Sequence, residues 1–208
     1  MRMQALPGQV MQNDRLRVLR KASPLAGLLL LIAVSERPWS QHWSSDLASV
    51  AGLLLMAGAA LGRVWTSAFI AGSKDERLVT VGPYSLCRHP LYAWSLVGGV
   101  GVGLASRSIV LLVLTVTILA ALHARAIRDE ERMLADRYPD AFRRYREEVP
   151  CLIPRTLRSQ QPPEVRLGVA VYWKAFLDAG SFIALYAAIT VLDALHAAAV
   201  LPAWFVLW

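Results

Sequence analysis

Charge is thin in this chain. Of its 208 residues, 18% are charged and 56% are hydrophobic. A soluble domain usually carries about 25% charged and roughly 45–50% apolar residues. The shortfall is concentrated, leaving whole segments without a charge, so an ordinary water-soluble domain is not the expectation. Cysteine is scarcer still. Cys87 and Cys151 are the only two. They are too few for a disulfide framework or a cysteine-based metal site, and no metal is expected. Both fall in segments expected to face the cytoplasm, where thiols stay reduced. There is no internal repeat and no low-complexity tract. A cleavable signal sequence is not expected, because the apolar stretch from Ala22 runs into ERPWSQHW without a small-x-small cleavage site.

What the chain does have is apolar runs of membrane length. A spanning helix needs about 20 such residues, fewer where polar ends snorkel. The runs predict an all-α fold, a polytopic membrane helical bundle of about five transmembrane helices, near 24–38, 45–70, 91–105, 108–127 and 176–200. Basic residues fall between them unevenly. Arg2, Arg15, Arg17, Arg20 and Lys21 crowd the N-terminal arm, and most of the others lie in 72–90 and 125–166. Positive loops stay in the cytoplasm, which places these three segments on that side. The net charge of +7 therefore reads as topology and contact with anionic lipid, and not as affinity for nucleic acid.

The division expected along the chain is a cytoplasmic arm at 1–22, a membrane core at 23–155, and a linker with a C-terminal membrane helix at 156–208. SRS alone joins the third and fourth spans, so they form a tight hairpin. From Arg125 to Glu148 the chain carries seven arginines and seven acids, a cytosolic helical extension of the fourth span. Pro139 restarts it as a second short helix with Asp140 in its first turn. In the final apolar region, Asp178, Asp193 and His196 either line a cavity or sit at an interface.

Two stretches stand out chemically. In the charged helix, Ile127, Leu134 and Tyr138 follow helical spacing and define one face. Glu130 and Glu131 interrupt that stripe where hydrophobes belong. Carboxylates on the packed side of a membrane-adjacent helix usually have a partner or a ligand. The other stretch is GPYSLCRHPLYAW, Gly82 to Trp94. Pro90 suits the first position of a helix, which places Arg88 and His89 at its positive end, suited to an anion. Taken alone, Arg88 can equally snorkel while His89 merely caps.

Together the two stretches resemble the isoprenylcysteine carboxyl methyltransferase and phospholipid methyltransferase superfamily. The family pattern is matched by Gly82-Pro83-Tyr84, Arg88-His89-Pro90-Leu91-Tyr92, Glu130-Glu131 with Leu134, then Tyr138, Phe142, Tyr145, and Val149-Pro150 with Pro154. The match covers roughly residues 50–155, with motifs at 78–94 and 127–155. Phe142 stands where a Tyr is common, and RYPDAF replaces the usual Phe-Gly turn.

The resemblance implies a membrane-embedded methyltransferase that uses S-adenosyl-L-methionine, with the cytosolic extension forming the cofactor pocket. It implies Arg88, Glu131 and Arg144 as catalytic residues. It implies Tyr84, His89, Pro90, Tyr92, Glu130, Glu131 and Tyr145 as the cofactor-binding set. The chemistry is consistent: His89 and nearby backbone N–H groups suit a carboxylate, a glutamate suits an amino group or ribose, and tyrosine faces suit a cation. The acceptor is expected to be a lipid or lipidated molecule bearing a carboxylate, phosphate or amine, met at the cytoplasmic face, in a bacterial inner membrane. The competing readings are an NADPH-dependent membrane reductase of the sterol-reductase type and a non-catalytic membrane scaffold. Two further features stay open. Arg63 and Lys74 either snorkel or meet an acidic lipid head. The glycines of SLVGGVGVGL either pack closely against a neighbour or leave a groove for a lipid chain.

Overall fold

The computed structural model describes residues 35–36, 43–71, 78–165, 169–202 and 204–206. Within them the chain forms five α-helices: α1 (Trp43–Ala71), α2 (Pro90–Ala105), α3 (Ile109–Arg137), α4 (Pro139–Glu148) and α5 (Val169–Ala197). Three are long and apolar enough to cross a bilayer, over Trp43–Ile70, Ile109–Arg137 and Tyr172–Ala197. α2 has 16 residues, or about 24 Å, short of the roughly 30 Å hydrocarbon core. The protein is an all-helical integral membrane bundle, as its apolar runs predict.

The expected span at 24–38 lies outside the described residues except for Ser35–Glu36. Those two are not helical. They pair in parallel, as β1, with β2 (Phe205–Val206).

The hairpin between α2 and α3 is as tight as SRS requires. Arg107 takes a positive φ of 55°, and its Nη2 lies 3.2 Å from Asp46 Oδ1 at the start of α1. Ser108 then caps α3, its Oγ accepting the Leu111 N–H at 3.3 Å. α3 does not stop where its apolar run stops. Span and charged extension are one helix of 29 residues, about 43 Å long, so one end projects beyond the hydrocarbon. Its apolar half exposes Ile109, Val110, Val113, Leu114, Ile118 and Leu122, a surface suited to lipid. Pro139 ends the run and opens α4, as its sequence predicts.

The glycines of α2 are contact points. A Cβ on Gly101 would lie 2.7 Å from the Gly52 carbonyl oxygen of α1, and one on Gly52 would lie 2.6 Å from that of Gly101. Gly98 abuts Phe182 of α5 and Ala59 of α1, Gly99 abuts Leu119, and Gly103 abuts Leu112 of α3. Of the two readings open for this run, close packing is the one realised: small residues let three neighbours approach the α2 backbone. The core of Met56, Val102, Ala105, Leu111 and Ile189 sits on the same side, flanked by Phe182, Leu185, Tyr186 and Leu192 of α5. In α5, Asp178 is exposed, and His196 Nδ1 lies 2.9 Å from its own helix's Leu192 oxygen.

Candidate active site

The site grows from a turn that only glycine fits easily. Gly82 has φ 63°, and a Cβ there would run into the Phe69 ring. A 3-10 turn over Pro83–Ser85 follows. Its geometry is pinned from a distance. Gly82 N–H donates to the Gln160 carbonyl at 2.6 Å, and Gln160 N–H donates to Ser85 Oγ at 2.8 Å. The segment read as a linker therefore doubles back and docks on the Gly-Pro-Tyr turn. Tyr145 of α4 anchors the same turn, its hydroxyl donating to the Tyr84 carbonyl at 2.7 Å.

Arg88 and His89 are held at the start of α2 by the Val-Pro segment. Arg88 N–H donates to Pro150 O at 2.8 Å and His89 N–H to Cys151 O at 3.1 Å. The backbone donors expected to await an anion are thus already engaged. The side chains are free of that duty. His89 makes no side-chain cap. Its ring is 2% exposed, with Nε2 3.1 Å from Glu131 Oε1 and Nδ1 3.5 Å from Glu130 Oε2. Arg88 Nε donates to the same Glu131 oxygen at 2.9 Å, while its Nη1 donates to the carbonyls of Val149 at 2.6 Å and Arg146 at 3.1 Å. Snorkelling and capping are both replaced by a cross-hairpin cluster.

The carboxylates arrive where helical phase puts them. Ile127 is buried, Glu130, Glu131 and Leu134 are partly buried, and Arg128 and Arg132 on the other face are exposed. The Tyr92 hydroxyl reaches Glu130, and its ring lies 5.8 Å from that of His89. Tyr84, Pro90 and Tyr145 are buried supports beneath the cluster. Burial raises the hydroxyl pKa of both Tyr84 and Tyr145, so both remain neutral donors. Arg144 is not brought in. It is exposed, because Phe142 and Tyr145 fix the buried face of α4 and Arg144 falls off that face. The residue of α4 that meets Arg88 is Arg146, through its carbonyl.

Cys151 enters unforeseen. His89, Glu131 and Cys151 offer ligand-type atoms within 4.8 Å of one another. Cys151 is partly buried, and burial raises its thiol pKa. Cys87 is buried more deeply, with its pKa pushed up to about 11, chiefly by burial. The sequence showed Val149-Pro150 as a motif, but not that its carbonyls and the adjacent thiol close over Arg88.

A membrane bundle that clasps an Arg-His pair against two inward glutamates is the architecture the two motifs anticipate. The phospholipid methyltransferase family model matches residues 47–141, taking in the Arg-His-Pro stretch and both glutamates. The chain belongs to that family. The cobalt-zinc-cadmium resistance protein CzcN of Cupriavidus metallidurans is 33% identical over 165 residues, covering 79% of this chain and 76% of that protein. The nickel-cobalt-cadmium resistance protein NccN of Alcaligenes xylosoxydans is 34% identical over 143 residues, covering 68% of this chain and 67% of that protein. No solved structure matches the chain.

Proposed function

We propose that the protein is an S-adenosyl-L-methionine-dependent methyltransferase embedded in a bacterial inner membrane, acting on a lipid or lipidated acceptor at the cytoplasmic face. The observation that carries this is the meeting of Glu130 and Glu131 with Arg88, His89 and Tyr92 at the base of the α2–α3 hairpin. The donor set fits the cofactor: carboxylates for an amino group or ribose hydroxyls, a guanidinium and an imidazole for a carboxylate, and a tyrosine ring near a cation. The bound cofactor supplies an activated methyl group on a sulfonium.

The protein's own share is alignment and exclusion of water. Arg88 and His89 orient Glu131, and Tyr92 orients Glu130. An oxyanion acceptor needs no base. An amine acceptor has to lose a proton. The test is calorimetric titration of detergent-purified protein with S-adenosylhomocysteine and with NADPH. Binding of the first and not the second is expected. Glu130→Gln, Glu131→Gln and His89→Ala should each keep the protein folded, with affinity weakened by about 1.5–3 kcal/mol where a charged hydrogen bond is lost. Binding of NADPH alone, or unchanged affinity in all three variants, would remove this reading.

A second reading has its own support. His89, Glu131 and Cys151 form a mixed nitrogen, oxygen and sulfur set within 4.8 Å, of the kind that suits zinc or cadmium. Both relatives are named for metal resistance. On this reading the protein binds a divalent transition metal at the same cluster. Titration with zinc or cadmium, repeated on Cys151→Ser, separates the two: metal binding lost in that variant, with no response to S-adenosylhomocysteine in either protein, favours the metal.

A further inference from the structure

Arg63 lies within the membrane-spanning part of α1, about two turns before its end. An arginine there usually snorkels to the headgroups. This one turns inward. Its Nη1 donates to Ser95 Oγ and faces the Leu91 carbonyl at 3.5 Å, both on α2. Ser95 is itself fixed, its hydroxyl donating to Leu91 O at 2.8 Å. Arg63 Nε is buried with no hydrogen-bond partner. His123 on α3 is near enough to feel the Arg63 charge, and its ring makes a hydrogen bond to the Leu119 backbone of its own helix. Tyr92 joins this inner group to the cluster described above: its ring lies 5.0 Å from that of His123 and 5.8 Å from that of His89. Asp178 of α5 is the acid whose charge reaches Arg63, but it is exposed and forms no ion pair with it among the described residues.

A cation held in the apolar layer is costly unless an anion completes it. Here a guanidinium donor is left open beside an imidazole, and they lie on the membrane side of Tyr92. A soluble ligand has no easy route to such a place, whereas a lipid reaches it by moving within the bilayer. We propose that Arg63, with Ser95 and His123, binds the oxyanion of a membrane lipid, a carboxylate or a phosphate, and holds its head against Tyr92. Arginine suits that task, since its planar fork pairs with either group in two-point fashion. A lipid held this way has its chains among the helices and its head directed at the His89–Glu131 cluster. The site also discriminates: a head with no accessible anion gains nothing from Arg63.

Calling that lipid the methyl acceptor rests on the function proposed above. The binding site does not, so the experiment measures lipid binding and cofactor binding separately. Purified protein is titrated with phosphatidylglycerol and with diacylglycerol in mixed micelles, and with inorganic phosphate in the same detergent. The same titrations are run on Arg63→Gln, Arg63→Lys and His123→Gln, with S-adenosylhomocysteine titrated against each. The expected result is tighter binding of phosphatidylglycerol than of diacylglycerol, with the phosphatidylglycerol affinity weakened at least tenfold by Arg63→Gln and less by Arg63→Lys. His123→Gln, which keeps the arginine, should weaken it severalfold and serves if Arg63→Gln does not fold. Affinity for S-adenosylhomocysteine should be equal in all folded variants. Equal phosphatidylglycerol affinity in wild type and every variant overturns the site. So does inorganic phosphate binding that matches the lipid and depends equally on Arg63, because the ligand is then a soluble anion. Absence of S-adenosylhomocysteine binding in the wild type strikes the methyltransferase reading and leaves the lipid result standing.

Discussion

Arg88 and Glu131 are 43 residues apart in sequence, and Arg88 Nε lies 2.9 Å from Glu131 Oε1. All of α2 and most of α3 lie between them. The pair closes the hairpin's base, and since both side chains are mostly buried, at 10% and 17% exposure, it is not an ordinary surface ion pair.

That closure predicts coupling. Arg88 also donates to the carbonyls of Val149 and Arg146, so Arg88→Ala strips three contacts, while Glu131→Gln weakens those to Arg88 and His89 without removing them. Arg88→Ala is therefore expected to destabilise the protein more. Unfolding of the two single variants and the double variant in detergent should give a coupling energy of about 1.5–3 kcal/mol. Strict additivity would mean that the two side chains are neighbours without being partners.

A milder change tests the support beneath. Tyr145→Phe removes the hydroxyl that donates to the Tyr84 carbonyl at 2.7 Å and leaves the ring. Phe142, also buried in α4, shows that a ring without a hydroxyl is accommodated on this face. The expected cost is about 1–2 kcal/mol, the usual worth of a buried hydrogen bond whose acceptor is left bare. Chemical denaturation measures it. A neutral outcome would imply that water takes over the Tyr84 oxygen.

Much of this was legible in sequence, for identifiable reasons. The helices follow from long apolar runs. The inward glutamates follow from the phase of Ile127, Leu134 and Tyr138, which leaves positions 130 and 131 on the packed face. The docking of Pro150, Cys151 and Gln160 onto the Arg-His-Pro stretch rests mainly on backbone hydrogen bonds, which any residue can make, so no side-chain pattern announces it. Arg144 was assigned by resemblance alone, and helical phase keeps it out of the buried cluster: the residue before Tyr145 is turned about 100° around the axis. For Arg63 the sequence left snorkelling and contact with an acidic lipid head both open, because its direction depends on a partner, Ser95, that only the packing of α1 on α2 supplies.

The glycine contacts make a sharper prediction. A methyl group at Gly101 would meet the Gly52 oxygen at 2.7 Å and Met56 Cγ at 2.7 Å, and helix backbone cannot yield cheaply. Gly101→Ala and Gly52→Ala should lower the melting temperature severely, and the leucine variants should fail to fold. Gly58 and Gly180 have open space where a Cβ would go. Alanine there should be neutral or stabilising by up to about 1 kcal/mol, the helix-propensity gain. Thermal scans of the four alanine variants decide this. If Gly101→Ala folds normally and only lipid turnover suffers, the run is a groove after all.

The two thiols report on both the site and the membrane orientation. Cys87 is 3% exposed, and burial pushes its pKa up to about 11. At pH 8 about one such thiol in a thousand is ionised, and the thiolate is the reactive form. Cys151 is also shifted upward by burial, but it is less enclosed, and Arg88 beside it favours the thiolate. A maleimide at pH 8 should therefore modify Cys151 at least tenfold faster than Cys87 in the folded protein, and both alike in denaturant. Raising the pH should speed both reactions, because each folded-state pKa lies above that of a free thiol. By the positive-inside rule residue 151 is expected with the basic segments, on the cytoplasmic side. A membrane-impermeant maleimide should accordingly label Cys151 in inverted vesicles and spare it in intact spheroplasts. A cysteine placed at Ser44, in the first turn of α1 at its other end, should show the opposite pattern. Labelling of both from one side would require that α1 not cross the membrane, and preferential labelling of Cys87 would mean that the Val-Pro segment does not cover the Arg-His-Pro turn.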